Sequence, residues 1–302
     1  MDAPAVVLSA IYKLPVAVRR QILFAWSNQR FPHFRNPATF NDKVNWRILN
    51  DRRPVLEWTC DKLAMKEHAR RVPGVHLAAT LWTGTDLREL AAASLPEHWI
   101  LKPNHRSGLV HFGNGQPDIE QLSAATASWL RPVQAEDLGE WAYSRARPLL
   151  LAEEIIGTPG APPPDYKFFV FDGAVAAVQV DVGRYAAHQR RLYRPDWSPL
   201  EVRYGGLPIA PVQPPPAGLD RMLTAAEQLS AGFEFVRIDL YDIGGEVYFG
   251  EFTPYPCGGL ARFVPAAFDT ELGARWTLPE KPAGLTSQAG RPGRGLTARE
   301  QF

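Results

Sequence analysis

Along residues 235–241, apolar Val236, Ile238 and Leu240 alternate with Arg237, Asp239 and Tyr241. This period of two predicts a strand with one greasy face and one polar face. Residues 246–254 read as the return strand and bring Glu251 and Thr253 back beside it. Register decides which face those two share. A three-residue connection through Ile243, Gly244 and Gly245 places Glu251 opposite Arg237 and diagonal to Asp239, about 7–8 Å away.

The same patterning organises the rest of the chain. Residues 1–95 are expected to be mainly helical. Thr39 with Asp42 resembles a capping box opening a helix through Asn50, and Asp61 caps another through Arg71. From His98 the period shortens. A strand at 99–103, a polar turn at 104–108 and a strand at 109–112 are expected, then helices at 119–130 and 135–143 and a buried strand at 149–156. The proline-rich loop 157–164 separates this part from a hairpin, 166–171 and 174–182, whose Asp172-Gly173 turn is a strong short-range signal. Residues 211–216 form a linker, 220–231 a helix and 279–302 a tail rich in Gly, Pro, Arg, Thr and Ser that is expected to be mobile. The resulting expectation is an α+β chain with units at 1–95, 96–156, 157–278 and 279–302.

Composition narrows the class. With 45% hydrophobic and 22% charged residues and a net charge of +1, the 302-residue chain is an ordinary globular protein without the basic excess that favours nucleic acid. Its two cysteines, Cys60 and Cys257, lie far apart with no C-x-x-C spacing, which argues against a zinc site or a disulfide framework and for a reducing, cytoplasmic setting. Residues 3–26 are rich in apolar side chains, but Lys13, Pro15, Arg19 and Arg20 interrupt them, so neither a signal peptide nor a membrane span is expected. A helix docked on its own domain is the main reading, with peripheral membrane contact as the alternative.

Several residues carry candidate chemistry. Asp239 and Glu251, with little sulfur or imidazole nearby, suit Mg²⁺, which takes one or two protein carboxylates and fills its shell with water and phosphate oxygens. The competing reading is a surface hairpin in which Arg237 pairs with an acid. Lys102 ends a strand just before a turn containing Ser107 and Gly108, where an ammonium and backbone N–H groups can meet phosphate; a solvated lysine is the plainer reading. Lys167 sits between Tyr166 and Phe168 on a strand that reads as buried, where it needs a charged partner or a phosphate, unless it is an edge-strand lysine. Arg184, after a strand end, offers bidentate phosphate contacts. Glu153 and Glu154 close an apolar strand where ribose hydroxyls are an expected partner. His105, His111 and His188 lack metal-ligand spacing, and Cys257 reads as a buried, inert thiol.

Taken in order, these residues resemble the ATP-grasp superfamily and, within it, the TupA-like ATP-grasp family of bacterial surface-polymer and polysaccharide loci. The resemblance runs from Pro37-Ala38-Thr39-Phe40-Asn41-Asp42 through Asp61-Lys62, Leu101-Lys102-Pro103-Asn104-His105-Arg106-Ser107-Gly108, Glu153-Glu154-Ile155 and Asp165-Tyr166-Lys167-Phe168-Phe169 to the 235–253 hairpin. It implies an ATP-grasp fold: two α+β lobes holding ATP between them, beside a helical N-terminal subdomain. In that frame Lys102 and Lys167 meet the phosphates, with Ser107, Gly108 and Arg237 in the same nucleotide site. Glu153, Glu154, Ile155 and Ile156 lie at adenine and ribose, and Asp239 and Glu251 hold Mg²⁺. The superfamily's metal strand carries Glu-x-Asn; here the third position is Thr253, which puts the third ligand in doubt. The implied reaction is ATP-dependent ligation of a carboxylate to an amine through an acylphosphate, on small molecules, a peptide or a polymer precursor. Arg184, Arg262 and Lys167 are then the catalytic candidates. Two other classes stand beside it: a glycosyltransferase, which needs a metal-binding Asp-x-Asp that the sequence lacks, and a non-catalytic nucleotide-binding subunit, which would dispense with the lysines and acids present here.

Overall fold

Local capping starts the helices. The computed structural model describes residues 5–183 and 187–280; Arg184 and the expected tail from residue 281 onward lie outside them. Two helices, α1 (Ala5–Tyr12) and α2 (Val16–Asn28), come first. Thr39 accepts from the Asp42 N–H to cap α3 (Phe40–Asn50), and Asp61 accepts from the Ala64 N–H to cap α4 (Lys62–Ala69). The chain continues with β1 (Val75–His76), β2 (Thr80–Gly84), α5 (Leu87–Ala91), β3 (His98–Pro103), β4 (His111–Asn114), α6 (Ile119–Thr126), α7 (Val133–Glu136) and β5 (Leu150–Glu154). It then forms β6 (Asp165–Phe171), β7 (Ala174–Val182), β8 (Gln189–Tyr193), β9 (Pro199–Leu200), β10 (Arg203–Tyr204) and α8 (Leu219–Leu229). The last elements are β11 (Phe235–Ile243), β12 (Glu246–Thr253), β13 (Phe263–Val264) and α9 (Ala267–Ala274). No helix among the described residues is long and apolar enough to cross a membrane.

Several elements differ from the sequence reading. The strand expected at 109–112 is β4, two residues later. The helix expected at 135–143 breaks into α7 and a 3₁₀ turn, Trp141–Arg145, because Gly139 between them takes a left-handed φ of 71°. Within the stretch expected to be helical, β2 supplies a strand, and it pairs with β5 far along the chain.

Two larger sheets and a two-stranded ribbon, β10 with β13, hold the strands. The smaller of the two sheets, ordered β2-β5-β3-β4, packs Trp99, Leu101 and Leu150 against Leu90, Leu122 and Trp129 of the flanking segments. The larger, ordered β1-β12-β11-β6-β7-β8-β9, is antiparallel except for β1 against β12. Period two gives each of its central strands a mixed face. Phe169, Phe171 and Phe235 lie at one end of that face under Phe40 of α3, whose ring stands edge-on to Phe235 at 4.9 Å. Lys167, Asp165 and Asp239 continue the face at its other end, which is left open. Val236, Ile238 and Leu240 occupy the opposite face, on which the amphipathic α8 packs.

The hairpin that carries the acids closes differently from expectation. Ile243 pairs with Glu246, so the loop is the two-residue Gly244-Gly245, with φ of 62° and 88°. That combination makes a type I′ turn. An even loop alone would set Glu251 on the greasy face, since one residue of slip reverses every side chain. Gly250 prevents it: the register shifts between Asp239 and Leu240, Gly250 bulges out, and Glu251 comes to lie directly opposite Asp239 and Thr253 opposite Arg237. A Cβ on Gly250 would stand 2.9 Å from the Asp239 carbonyl oxygen. Gly250→Val is therefore expected to cost about 1–3 kcal/mol through backbone displacement, read as a lower urea midpoint, and to impair any ligand that needs both acids.

Buried Arg47 fastens the other end of the hairpin. Its guanidinium donates to the Phe235 carbonyl at 2.9 Å and the Pro254 carbonyl at 3.2 Å, pairs with Glu234, and lies 4.3 Å over the Trp276 ring. Helix α3 thus fixes where β11 begins and β12 ends.

Candidate active site

A cleft of about 760 Å³ lies between the two sheets. Lys102, Glu153 and Ile100 line its small-sheet wall; Ile155, Ile156 and the proline-rich loop line its back; Lys167, Asp181, Asp239 and Glu251 line its large-sheet wall. Ser107 and Gly108 also border it. Phe112 and Phe249 add aromatic surface.

The cations on the small-sheet side are placed by α4. Arg147 donates to both Asp61 oxygens, at 2.8 and 2.7 Å, while Asp61 caps the helix. The Leu63 N–H donates to the Asn104 side chain at 3.0 Å, which docks the first turn of α4 on the exit of β3. Lys62 therefore points its ammonium at the Pro103 carbonyl, 2.9 Å away, and at the Arg106 carbonyl. One helical turn on, Lys66 donates to the Thr80 hydroxyl and to Glu153, both at 2.7 Å. Lys102 approaches the other oxygen of Glu153. Burial pushes the Glu153 carboxyl up, but Lys102 and Lys66 outweigh it and hold it below the ordinary value. Both oxygens of this buried carboxylate, which lines the cleft, are thus engaged by lysines. Glu154 instead accepts from the Ala79 N–H at 2.7 Å, where β5 leads toward the cleft's back wall.

Lys62 is the most perturbed of these cations. Burial, reinforced by repulsion from Lys102, lowers it to about 8 despite the attraction of Glu251 and Glu153. A phosphate in the cleft would restore the charged form. Nucleotide affinity is therefore expected to weaken as pH rises above about 8, and the wild-type slope to flatten in Lys62→Met; titration calorimetry from neutral to alkaline pH reads it. The free protein behaves oppositely: between about 8 and the ordinary lysine value the unfolded chain holds this proton and the folded one does not, so this group adds stability as pH rises.

The large-sheet wall is a chain of buried charges. Lys167 lies on β6, between β11 and β7, so it is not an edge lysine. Its ammonium meets Asp165 at 2.5 Å and Asp239 at 2.6 Å. Arg237 grips both Asp239 oxygens, at 2.7 and 2.8 Å, and donates to the Thr253 hydroxyl at 3.1 Å. Burial pushes Asp239 up, but Arg237 and Lys167 more than offset this and the carboxyl sits below its usual range; Arg237 is raised in turn, with Asp239 overcoming its burial. Glu251 is 32% exposed, 3.6 Å from Arg237.

Hard oxygen donors facing each other across β11 and β12, with the Thr253 hydroxyl beside them, fit a magnesium ion that draws its remaining ligands from water and phosphate. No group of three or more His, Cys, Asp or Glu residues able to hold a metal occurs among the described residues. Glu251 is the open donor; Asp239 would exchange an arginine or lysine contact for a cation.

Of the other expected site residues, Arg262 does not line the cleft. Pairing of β13 with β10 carries it to the C-terminal end of α2, where it donates to Gln29. Arg184 lies outside the described residues. Cys257 is exposed rather than buried, with φ of 48° in a loop held by Arg20 and Asn45 on the Gly258 and Gly259 carbonyls. The sequence reading assigned no role to Lys62, Lys66, Asp165 or Asp181. Lys62 and Lys66 follow the Asp61 cap one turn apart on one helix face, and Asp165 stands two residues before Lys167 on one strand face; those spacings are the signals that were present.

A sequence model described as TupA-like ATPgrasp matches residues 42–277. No match is found among curated proteins. Among solved structures, the chain is similar to a D-alanine–D-alanine ligase from Helicobacter pylori, with 16% identity, 81% of this chain and 68% of that one covered, and a TM-score of 0.45. It is also similar to the D-alanine–D-alanine ligase from Bacillus anthracis complexed with ATP (16% identity, 65% and 53% covered, TM-score 0.38) and to the ATP-grasp ligase PsnB complexed with minimal precursor (13%, 67% and 54%, 0.38). The chain spans a little over half the length of these last two. With the family match extending over most of its length, the chain belongs to the TupA-like ATP-grasp family.

Proposed function

We propose that this protein is an ATP- and Mg²⁺-dependent ligase that joins a carboxylate to an amine through an acylphosphate and releases ADP. The observation that carries this reading is the cleft itself, where Lys62 of α4 and Lys102 of the small sheet line one side and Asp239 and Glu251 of the large sheet line the other. Phosphoryl transfer asks a protein for position and charge compensation more than for a nucleophile. Lys62, Lys102, Ser107 and Gly108 would hold the phosphates, and Ile155, Ile156 and Glu154 would border the base and ribose. Mg²⁺, held by Asp239 and Glu251 with Thr253 beside them, would neutralise phosphate charge. Arg237, bound to Asp239 and Thr253 behind the cleft wall, would hold the metal acids in place, and Arg262 stands away from the cleft. Lys167 sets the Asp239 carboxylate in place. The substrates are taken to be a small-molecule carboxylate and an amine, or a peptide or surface-polymer precursor bearing them, in the cytoplasm where ATP is supplied.

The test follows the carboxylate oxygens. Pooled carboxylates and amines are incubated with protein, Mg²⁺ and ATP, and products are found by mass spectrometry. The carboxylate of any substrate is then labelled with oxygen-18. Attack of that carboxylate on the γ-phosphate, followed by amine displacement, leaves one labelled oxygen in inorganic phosphate beside ADP. Unlabelled phosphate, or release of AMP and pyrophosphate, overturns the acylphosphate route. Consumption of a sugar nucleotide with the carboxylate intact would favour the glycosyltransferase class instead.

A further inference from the structure

Seven large hydrophobic side chains are exposed among the described residues, and five of them, Leu14, Val18, Ile22, Trp26 and Phe31, fall within residues 14–31. Phe112 belongs to the cleft. Val18, Ile22 and Trp26 recur every fourth residue along α2, and Leu14 continues the series just before it. At about 1.5 Å per residue the stripe runs roughly 18 Å. It is not the face with which α2 meets its own domain: Arg19, Arg20, Leu23, Phe24 and Asn28 are the buried positions. The helix therefore has a satisfied inner face and a second apolar face turned outward, with exposures of 36%, 44%, 38% and 41% from Leu14 to Trp26 and 83% at Phe31.

Along the segment that carries the stripe, formal charge has one sign. No acid occurs between Asp2 and Asp42, a stretch that holds Lys13, Arg19, Arg20, Arg30 and Arg35. Lys13 and Arg35 are exposed near the two ends of the stripe. Arg30 is partly exposed while bound to Asp42 and Asp269. From the neighbouring α7 segment, the Glu136 carbonyl accepts from Arg19, and Asp137 lies near Arg19 and Tyr12, on the inner side.

We propose that the outer face of α2 adsorbs to an anionic lipid bilayer, lying flat at the headgroup boundary with Leu14, Val18, Ile22, Trp26 and Phe31 inserted and Lys13 and Arg35 among the phosphates. A face with apolar residues in a line and basic residues at both ends matches such a surface. Packing the same face on a second copy of the chain would bring these basic ends together. The contact is short and carries few charges, so adsorption is weak, reversible and sensitive to salt.

The experiment is sedimentation of the full chain with vesicles of phosphatidylcholine alone and of phosphatidylcholine containing phosphatidylglycerol, at low and raised salt. Binding to the anionic vesicles is expected, several-fold weaker at raised salt. Ile22→Asp and Trp26→Ser should each reduce it roughly tenfold in protein that remains folded, as its cooperative melting transition reads. Lys13→Glu with Arg35→Glu should do likewise without touching the apolar stripe. Wild-type protein that ignores anionic vesicles at low salt overturns the proposal. So does wild-type binding retained by Ile22→Asp, or a solution dimer that Ile22→Asp dissociates in a protein without vesicle affinity.

Discussion

Replacing Asp239 by asparagine is expected to abolish Mg²⁺-dependent ATP consumption and to destabilise the fold by about 3–5 kcal/mol, because it leaves Arg237 and Lys167 buried without their shared partner. Charge on a strand face suggests by itself a solvated position whose substitution costs little. The structure says otherwise: Asp239 is 2% exposed and receives hydrogen bonds from both cations. Glu251→Gln is the contrasting case. Its side chain is 32% exposed and only 3.6 Å from Arg237, so its loss should cost about 1 kcal/mol or less in stability while still removing a metal donor. Urea unfolding and Mg²⁺ titration of ATP turnover separate the two effects. Turnover retained in Glu251→Gln at wild-type Mg²⁺ concentrations would remove the metal assignment, and wild-type stability in Asp239→Asn would show that the buried triad is not coupled.

The two lysines first suggested by their strand positions should part company in the same way. Lys167→Ala is expected to destabilise the protein by about 3–5 kcal/mol, since Asp165 and Asp239 would face each other across adjacent strands with their common cation gone. Lys102→Ala should leave the fold nearly intact, because Glu153 keeps Lys66 at 2.7 Å. Its effect falls on nucleotide binding, weakened roughly tenfold to a hundredfold by loss of a charge-assisted contact of about 1.5–3 kcal/mol. Calorimetry with a non-hydrolysed ATP analogue reads the second, and chemical denaturation reads the first. Wild-type nucleotide affinity in Lys102→Ala would argue that its ammonium serves Glu153 alone.

Whatever depends on near neighbours in the chain was legible from the sequence. Thr39 and Asp61 cap helices because their side chains reach N–H groups three residues on, and the Asp172-Gly173 turn forms because its two residues accept left-handed backbone. The order of the motifs was enough to indicate the family, and residues such as Lys102, Ser107, Gly108 and Ile155 do line one cleft. What the sequence could not set was the pairing of side chains distant in the chain. The two-residue loop and the Gly250 bulge each move the register by one, and only their combination puts Glu251 across from Asp239; neither shift shows in the alternation of apolar residues.

Tertiary structure also decided the partners of the buried charges. Glu153 binds Lys66 and Lys102 because β5 lies between β2 and β3, under α4; Lys62 loses basicity because the docking of α4 on Asn104 buries its ammonium beside Lys102. Arg262 left the site because the β10–β13 pairing turned it toward α2. A sequence specifies which residues can carry charge, cap or turn, since those are properties of single side chains and short spans. Which charges neutralise one another, and which stay available to a nucleotide, follows from strand order and burial, and those exist only once distant segments have packed.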